Sequence, residues 1–306
     1  MKWKMMVLLM ILVMGIGTLC GCSSKNDNET VTASHKLKVT TSFYAMYDFA
    51  KKIGGDSVLV TNLVPSGIEP HDWEPTPNDI VNLERAQVFI YNGDGLETWT
   101  DKILQTLENK DLIVVEASKD LALIESSDPA ELLQYDPHLW LNPLLAKKQM
   151  EAIKNTFVKA DPNNKDIYEK NYTANAEEMD RLDAQYKAAV ATFSKKDIIV
   201  AHQAFGYLCE AYGLNQVAIE GLSADFEPTP DKMVEIIEFA KANDVKTIFF
   251  ETLVSPKVAE TIAEEVGADT AVLNPIEGLN EEEMSQGADY FSIMRENLEA
   301  LKKALQ

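Results

Sequence analysis

Histidine is rare in this 306-residue chain, and three of its four copies fall where side chains can converge. His71 lies in Pro65-Ser-Gly-Ile-Glu-Pro-His-Asp-Trp-Glu-Pro, beyond the short apolar run Val58–Asn62. His138 lies in Tyr135-Asp-Pro-His-Leu-Trp-Leu-Asn-Pro, and His202 directly follows the run Ile198–Ala201. A neutral imidazole at such a position can serve as a metal ligand. Separations of 67 and 64 positions exclude a local zinc finger, so any shared site is assembled by the fold. Each histidine also fits a plainer role: His71 and His138 as structural turn residues, His202 as a strand-end side chain satisfied by backbone. His35, in a polar tract, reads as solvent-exposed.

The elements that would position them alternate along the chain. Predicted strands are Leu37–Thr41, Val58–Asn62, Val88–Asn92 and Leu112–Glu116 in the first half, then Ile198–Ala201, Gln216–Ile219, Thr247–Glu251 and Thr270–Leu273. Each is short, rich in Val and Ile, and followed by turn signals, with helical segments between; that pattern means parallel sheets with crossover helices. The expectation is an α/β protein of two lobes, each with a four-stranded, mainly parallel sheet. In open sheets of this kind ligands gather beyond the carboxyl ends of strands, where His71 and His202 belong.

Asp72-Trp-Glu-Pro-Thr-Pro recurs as Asp225-Phe-Glu-Pro-Thr-Pro, 153 positions later. In each copy a threonine (Thr76 or Thr229) can cap a helix whose first position is proline (Pro77 or Pro230). The copies differ in that His71 precedes the first and Ala224 the second. Residues 166–192 contain neither Pro nor Gly, so a helix of ~40 Å is expected there. Its sparse apolar residues suit a stiff bridge between lobes rather than a core element. The expected domains are a leader (1–21), a tether (22–36), an N-terminal lobe (37–165), the linking helix (166–193) and a C-terminal lobe (194–306).

Several of these segments, taken in order, resemble one family. His71-Asp-Trp-Glu-Pro-Thr-Pro-Asn-Asp, Asn92-Gly-Asp-Gly-Leu-Glu-Thr-Trp, Asp136-Pro-His-Leu-Trp-Leu-Asn-Pro, Ala201-His-Gln-Ala-Phe-Gly-Tyr and the Glu227-Pro-Thr-Pro segment look like the metal-binding receptors of ABC importers. These are the cluster A-I solute-binding lipoproteins that capture zinc or manganese. The resemblance runs from about Leu37 to the C-terminus and implies two α/β lobes joined by a rigid long helix. It implies His71, His138 and His202 as ligands, with a fourth in the turn after the last strand, Leu273-Asn-Pro-Ile-Glu-Gly-Leu, which makes Glu277 the candidate. It also implies an ABC permease and its ATPase as partners, with the receptor acting as a monomer.

Three imidazoles and a carboxylate suit one four-coordinate Zn²⁺ per chain, whereas Mn²⁺ prefers more oxygen ligands. Manganese-importing relatives commonly carry Glu where this chain has His202, so zinc leads and manganese is the alternative. A closed site of this kind is a carrier, not a catalyst. A secreted zinc hydrolase with Glu277 as base is the competing enzyme class, but no His-Glu-x-x-His or Gly-x-Ser-x-Gly motif supports it. Surface adhesion is a further class reported for such relatives, with no partner surface apparent. Trp73 and Trp140, each within two residues of a candidate ligand, read as packing around the turns.

The formal charge of −21, from 49 acids against 28 bases, argues against a nucleic-acid partner. Met1-Lys-Trp-Lys and the apolar run Met5–Leu19 read as a secretory leader, too short for a membrane span. Leu19-Cys20-Gly21-Cys22 resembles a lipobox, which implies cleavage before Cys22, lipidation of its sulfur and anchorage to the outer face of a bacterial cell membrane. The third cysteine, Cys209, then stands alone and reads as a small buried hydrophobe.

Overall fold

The structure, a computed structural model, describes residues 36–93, 95–126, 133–223 and 228–306. The expected leader, the lipidation site Cys22, the expected tether up to His35, and Ala224 with the first three residues of the second hexapeptide, Asp225 through Glu227, lie outside the described residues.

The first sheet is built from β1 (Leu37–Thr41), β2 (Val58–Asn62), β3 (Val88–Tyr91) and β4 (Ile113–Glu116), in the order β2-β1-β3-β4. The second uses β5 (Asp197–Val200), β6 (Asn215–Ala218), β7 (Thr247–Phe250) and β8 (Asp269–Val272), in the order β6-β5-β7-β8. All six pairings are parallel, so both sheets follow one strand plan. Strand ends differ from the sequence reading by at most one residue. The strands β5, β6 and β8 each begin one residue earlier than expected, because Asp197, Asn215 and Asp269 join the ladder through their backbones despite polar side chains.

Helices α1 (Tyr44–Gly54), α2 (Pro77–Glu84), α3 (Thr100–Thr106) and α4 (Pro143–Ala160) serve the first lobe. The long α5 (Lys165–Val190) leads to α6 (Gly206–Tyr212), α7 (Pro230–Ala242), α8 (Lys257–Val266), α9 (Glu281–Ser285) and α10 (Tyr290–Leu305). The proline-led helices begin as their threonines require. Thr76 accepts from Asp79 N–H while the Asp79 side chain accepts from Thr76 N–H, and Thr229 accepts from Lys232 N–H.

The linking helix departs from its expected role as a bridge alone. Tyr168, Met179, Leu182 and Tyr186 are fully buried at helical spacing, so one stripe of α5 is core. A single apolar cluster runs through both lobes, including Phe49, Trp140, Tyr186, Phe205, Ile276 and Tyr290. The C-terminal α10 returns to the first lobe, where Tyr290 packs edge-on against Phe49 and donates to Trp140 O at 2.7 Å. Tyr207 donates to Asp136 O at 2.8 Å across the same junction. Lobes sharing a core and buried hydrogen bonds do not hinge apart readily. Cys209 is buried in this cluster as expected, and burial pushes its thiol pKa up. No helix among the described residues is long and apolar enough to cross a membrane.

Candidate metal centre

Four loops at the carboxyl ends of strands meet between the sheets. His71 lies between β2 and α2, held where Glu69 Oε1 accepts its backbone N–H at 3.1 Å. His138 lies between β4 and α4, just before a single 3₁₀ turn over Leu139–Leu141. Asp136 Oδ1 accepts both the backbone N–H of His138 and, at 2.8 Å, its Nδ1–H. Asn92 Nδ2 steadies the same loop by donating to Pro137 O at 2.9 Å. His202 stands two residues beyond β5, with its Nδ1 at 2.5 Å from Glu251 Oε1 beyond β7. Glu277 occupies the turn between β8 and α9.

The structure brings all four candidate residues together, and it does so through one atom each. His71 Nε2 is 3.2 Å from His138 Nε2 and 3.3 Å from Glu277 Oε1. His138 Nε2 is 2.9 Å from Glu277 Oε1 and 3.3 Å from His202 Nε2, which is itself 3.5 Å from Glu277 Oε1. Ligand atoms of a tetrahedral ion with bonds of ~2.0–2.1 Å stand about 3.3–3.4 Å apart. Five contacts thus fall near the edge length of such a tetrahedron. His138 and His202 are wholly inaccessible, Glu277 is 1 % exposed, and the His71 side chain is 3 % exposed.

The electrostatics point the same way. Where Nδ1 carries its proton towards a carboxylate, Nε2 is left with a lone pair aimed inward. Lone pairs and a carboxylate oxygen at these distances repel one another in a buried site unless positive charge lies among them. Protons supply some of that charge. Burial opposes protonation of His138, but Asp136 and Glu277 outweigh it and raise its pKa; burial is likewise outweighed at His202 by Glu251 and Glu277. At His71 burial prevails and the pKa falls despite Glu277. Burial would raise the pKa of Glu277, yet the charge of His202 and contacts with all three imidazoles hold it well below the usual carboxylate range. At Glu69 burial and the charge of Glu277 outweigh the charge of His202 and the His71 N–H, and push its carboxyl up to about 9. A divalent cation amid the three Nε2 atoms and Oε1 satisfies the cluster at one stroke.

Comparison with known proteins decides the family. Residues 39–304 match the family described as zinc-uptake complex component A, periplasmic (ZnuA). The chain belongs to this family. It is similar to the high-affinity zinc uptake system protein ZnuA of Bacillus subtilis, with 42 % identity over 299 residues, 94 % of this chain and 92 % of that protein. It is 36 % identical over 295 residues to the zinc-binding lipoprotein AdcA of Streptococcus pneumoniae, which covers 93 % of this chain but only 58 % of AdcA. The crystal structure of the Zn(II)-bound ZnuA-like domain of AdcA superposes with a TM-score of 0.78 at 38 % identity, covering 88 % of this chain and 99 % of that one. As a ZnuA-family protein the chain is a metal-binding transport component acting outside the cytoplasm, and not an enzyme.

Residues around the cluster escaped the sequence reading. Asp136 stands two positions before His138, a spacing that lets one carboxylate take both a backbone and a side-chain donor. In sequence Glu251 is only the last residue of a predicted strand; the signal that marks it is an acid ending an apolar run. Trp140 does pack as expected, fully buried, while its Nε1–H donates to Pro275 O at 2.7 Å beside the Glu277 turn. Trp73 is half-buried and meets Trp99 edge-on.

Proposed function

We propose that this ZnuA-family chain captures one Zn²⁺ through His71 Nε2, His138 Nε2, His202 Nε2 and Glu277 Oε1, and hands it to an ABC permease driven by its ATPase. The observation that carries the reading is the set of near-tetrahedral separations among these four atoms. A donor set of three nitrogens and one oxygen favours zinc over manganese, which takes more oxygen ligands and a higher coordination number. Anchorage through a lipid on Cys22 is supported by the Leu-Cys-Gly-Cys sequence and by the lipoprotein relative; the receptor acts as a monomer beside its permease.

Elemental analysis tests the reading directly. Protein prepared without its leader and without added metal should carry about one zinc per chain. Substitution His202→Glu should then shift relative affinity towards manganese in competition at controlled pH. If both affinities stay unchanged, His202 is not a ligand. Mass spectrometry of the mature N-terminus reads the lipid on Cys22.

A further inference from the structure

The carboxylate of Glu277 poses a question of its own. Its Oε1 faces three imidazoles, yet its Oε2 is buried and receives no hydrogen bond among the described residues. On its first-lobe side the turn borders a cavity of about 360 Å³ lined by Tyr44, Tyr47, Val64 and Leu279, and there Leu279 O accepts from the Ser66 hydroxyl and from Gly67 N–H. The imidazoles engage only Oε1, so what keeps Oε2 turned away from the cluster is sought in the backbone of the turn.

That backbone is held with unusual completeness. Asn297, on α10, accepts Asn274 N–H at 2.8 Å and donates Nδ2–H to Asn274 O at 2.7 Å, so the two residues pair at two points. Asn274 Oδ1 accepts Ile276 N–H at 2.7 Å, and Asn274 Nδ2 donates to Glu283 Oε1 at 2.9 Å. Both asparagines are buried, at 4 % and 2 % exposure. The residue thus clamped, Ile276, has φ +61°, a left-handed conformation that β-branched residues rarely adopt. Such a conformation persists only where the surroundings over-determine it, and Glu277 is the next residue.

We infer that Asn274 and Asn297 are positioning residues that hold Glu277 as a one-oxygen ligand, and that this restraint contributes to the choice of a four-coordinate ion. The inference rests on the proposed site, with Glu277 as the fourth ligand. A carboxylate freed to turn can offer both oxygens and admit further ligands, which suits Mn²⁺ better than Zn²⁺. The bracket keeps that option closed.

Co²⁺ is the probe, because tetrahedral Co²⁺ absorbs visible light far more strongly than five- or six-coordinate Co²⁺. In Asn297→Ala, with folding checked by circular dichroism, zinc affinity should fall about tenfold while Mn²⁺ affinity holds, and the Co²⁺ band should weaken. Should Asn297→Ala fail to fold, Glu283→Ala removes one acceptor of Asn274 from a partly exposed position. It should move the band and the zinc-to-manganese ratio in the same direction by less, with Glu283→Gln restoring both. A folded Asn297→Ala, or in its place Glu283→Ala, that keeps the wild-type band and ratio overturns the inference. Glu277→Gln separates the two levels: if it leaves zinc affinity and the Co²⁺ band unchanged, the ligand assignment itself fails. If it alters them while the bracket variants do not, only the bracket fails.

Discussion

Beyond β1 in the first lobe, Ser42 donates its hydroxyl to the buried carboxylate of Glu97 at 2.6 Å. Beyond β5, the corresponding strand of the second lobe, His202 sets Nδ1 against the buried carboxylate of Glu251. In both lobes the glutamate comes from the segment following the neighbouring interior strand, β3 or β7. The carboxylates differ in their other partners. Glu97 also accepts the N–H groups of Asn92 at 2.8 Å and Gly93 at 3.0 Å, which offset part of the burial that raises its pKa. Neither oxygen of Glu251 receives a well-aligned hydrogen bond among the described residues, and its charge is left facing the imidazole. A carboxylate consumed by backbone donors is architecture, whereas one left to a single histidine tunes that histidine. The lobes also agree at one proposed ligand position, since His138 follows β4 and Glu277 follows β8. Shared topology offers the strand ends; the side chains placed there decide which ends become a site.

The largest expected effect comes from removing the imidazole that distinguishes the pairs. Structural zinc sites bind with about 10–16 kcal/mol over four ligands, so losing one should weaken zinc roughly 100- to 1000-fold. Competition of His202→Ala against a chelating dye at fixed pH measures this. Zinc affinity within a few-fold of wild type would mean that His202 is no more a ligand than Ser42.

Glu251→Gln should be next, with a 10- to 100-fold loss, because a carboxylate behind a ligating histidine raises its basicity and fixes its ring. The effect should depend on pH. In the metal-free protein Glu251 and Glu277 outweigh burial and hold the pKa of His202 well above 6.5. The stabilisation that protonated His202 lends the metal-free fold is therefore full below about 6.5 and lost as pH rises through the raised value. Zinc must displace that proton, so wild-type affinity should climb with pH beyond the ordinary imidazole range. Glu251→Gln weakens both the ligand and the competing proton. Its deficit should widen as pH rises from 6 to 8, and a deficit that does not vary with pH would show that Glu251 does not act through the proton on His202.

This contrast also marks how far the sequence can be read. Strands were legible because short Val- and Ile-rich runs between turn signals have few alternatives. The three histidines were legible because a rare residue stood at strand ends. Glu277 is one acid among 49 and was singled out only through the family resemblance of its turn. Glu251 and Glu97 look alike in sequence, as acids near the ends of apolar runs. Their roles separate only when the fold brings His202 to one and the N–H groups of Asn92 and Gly93 to the other. The buried stripe of α5 was missed for a similar reason. Its large apolar side chains Tyr168, Met179, Leu182 and Tyr186 are sparse along 26 residues, and they become core only because α1, α4 and α10 pack along one side.

The smallest effect on zinc should come from the Ser42–Glu97 pair, where stability is the sensitive readout. Ser42→Ala removes one hydroxyl donor from a buried carboxylate and should lower stability by about 1 kcal/mol. Glu97→Gln is more severe, because one of its two oxygens becomes an NH2 that faces a backbone N–H the carboxylate now accepts; a loss of about 1–3 kcal/mol is expected in chemical denaturation. Glu97 reaches the metal site only indirectly. It holds Asn92, and Asn92 Nδ2 donates to Pro137 O beside His138. His138 keeps its direct bonds to Asp136 in both variants, so zinc affinity per folded molecule should remain within about threefold of wild type, well short of the Glu251→Gln loss. If Glu97→Gln instead weakened zinc as much as Glu251→Gln while stability held, the first-lobe carboxylate would belong to the metal site as fully as the second.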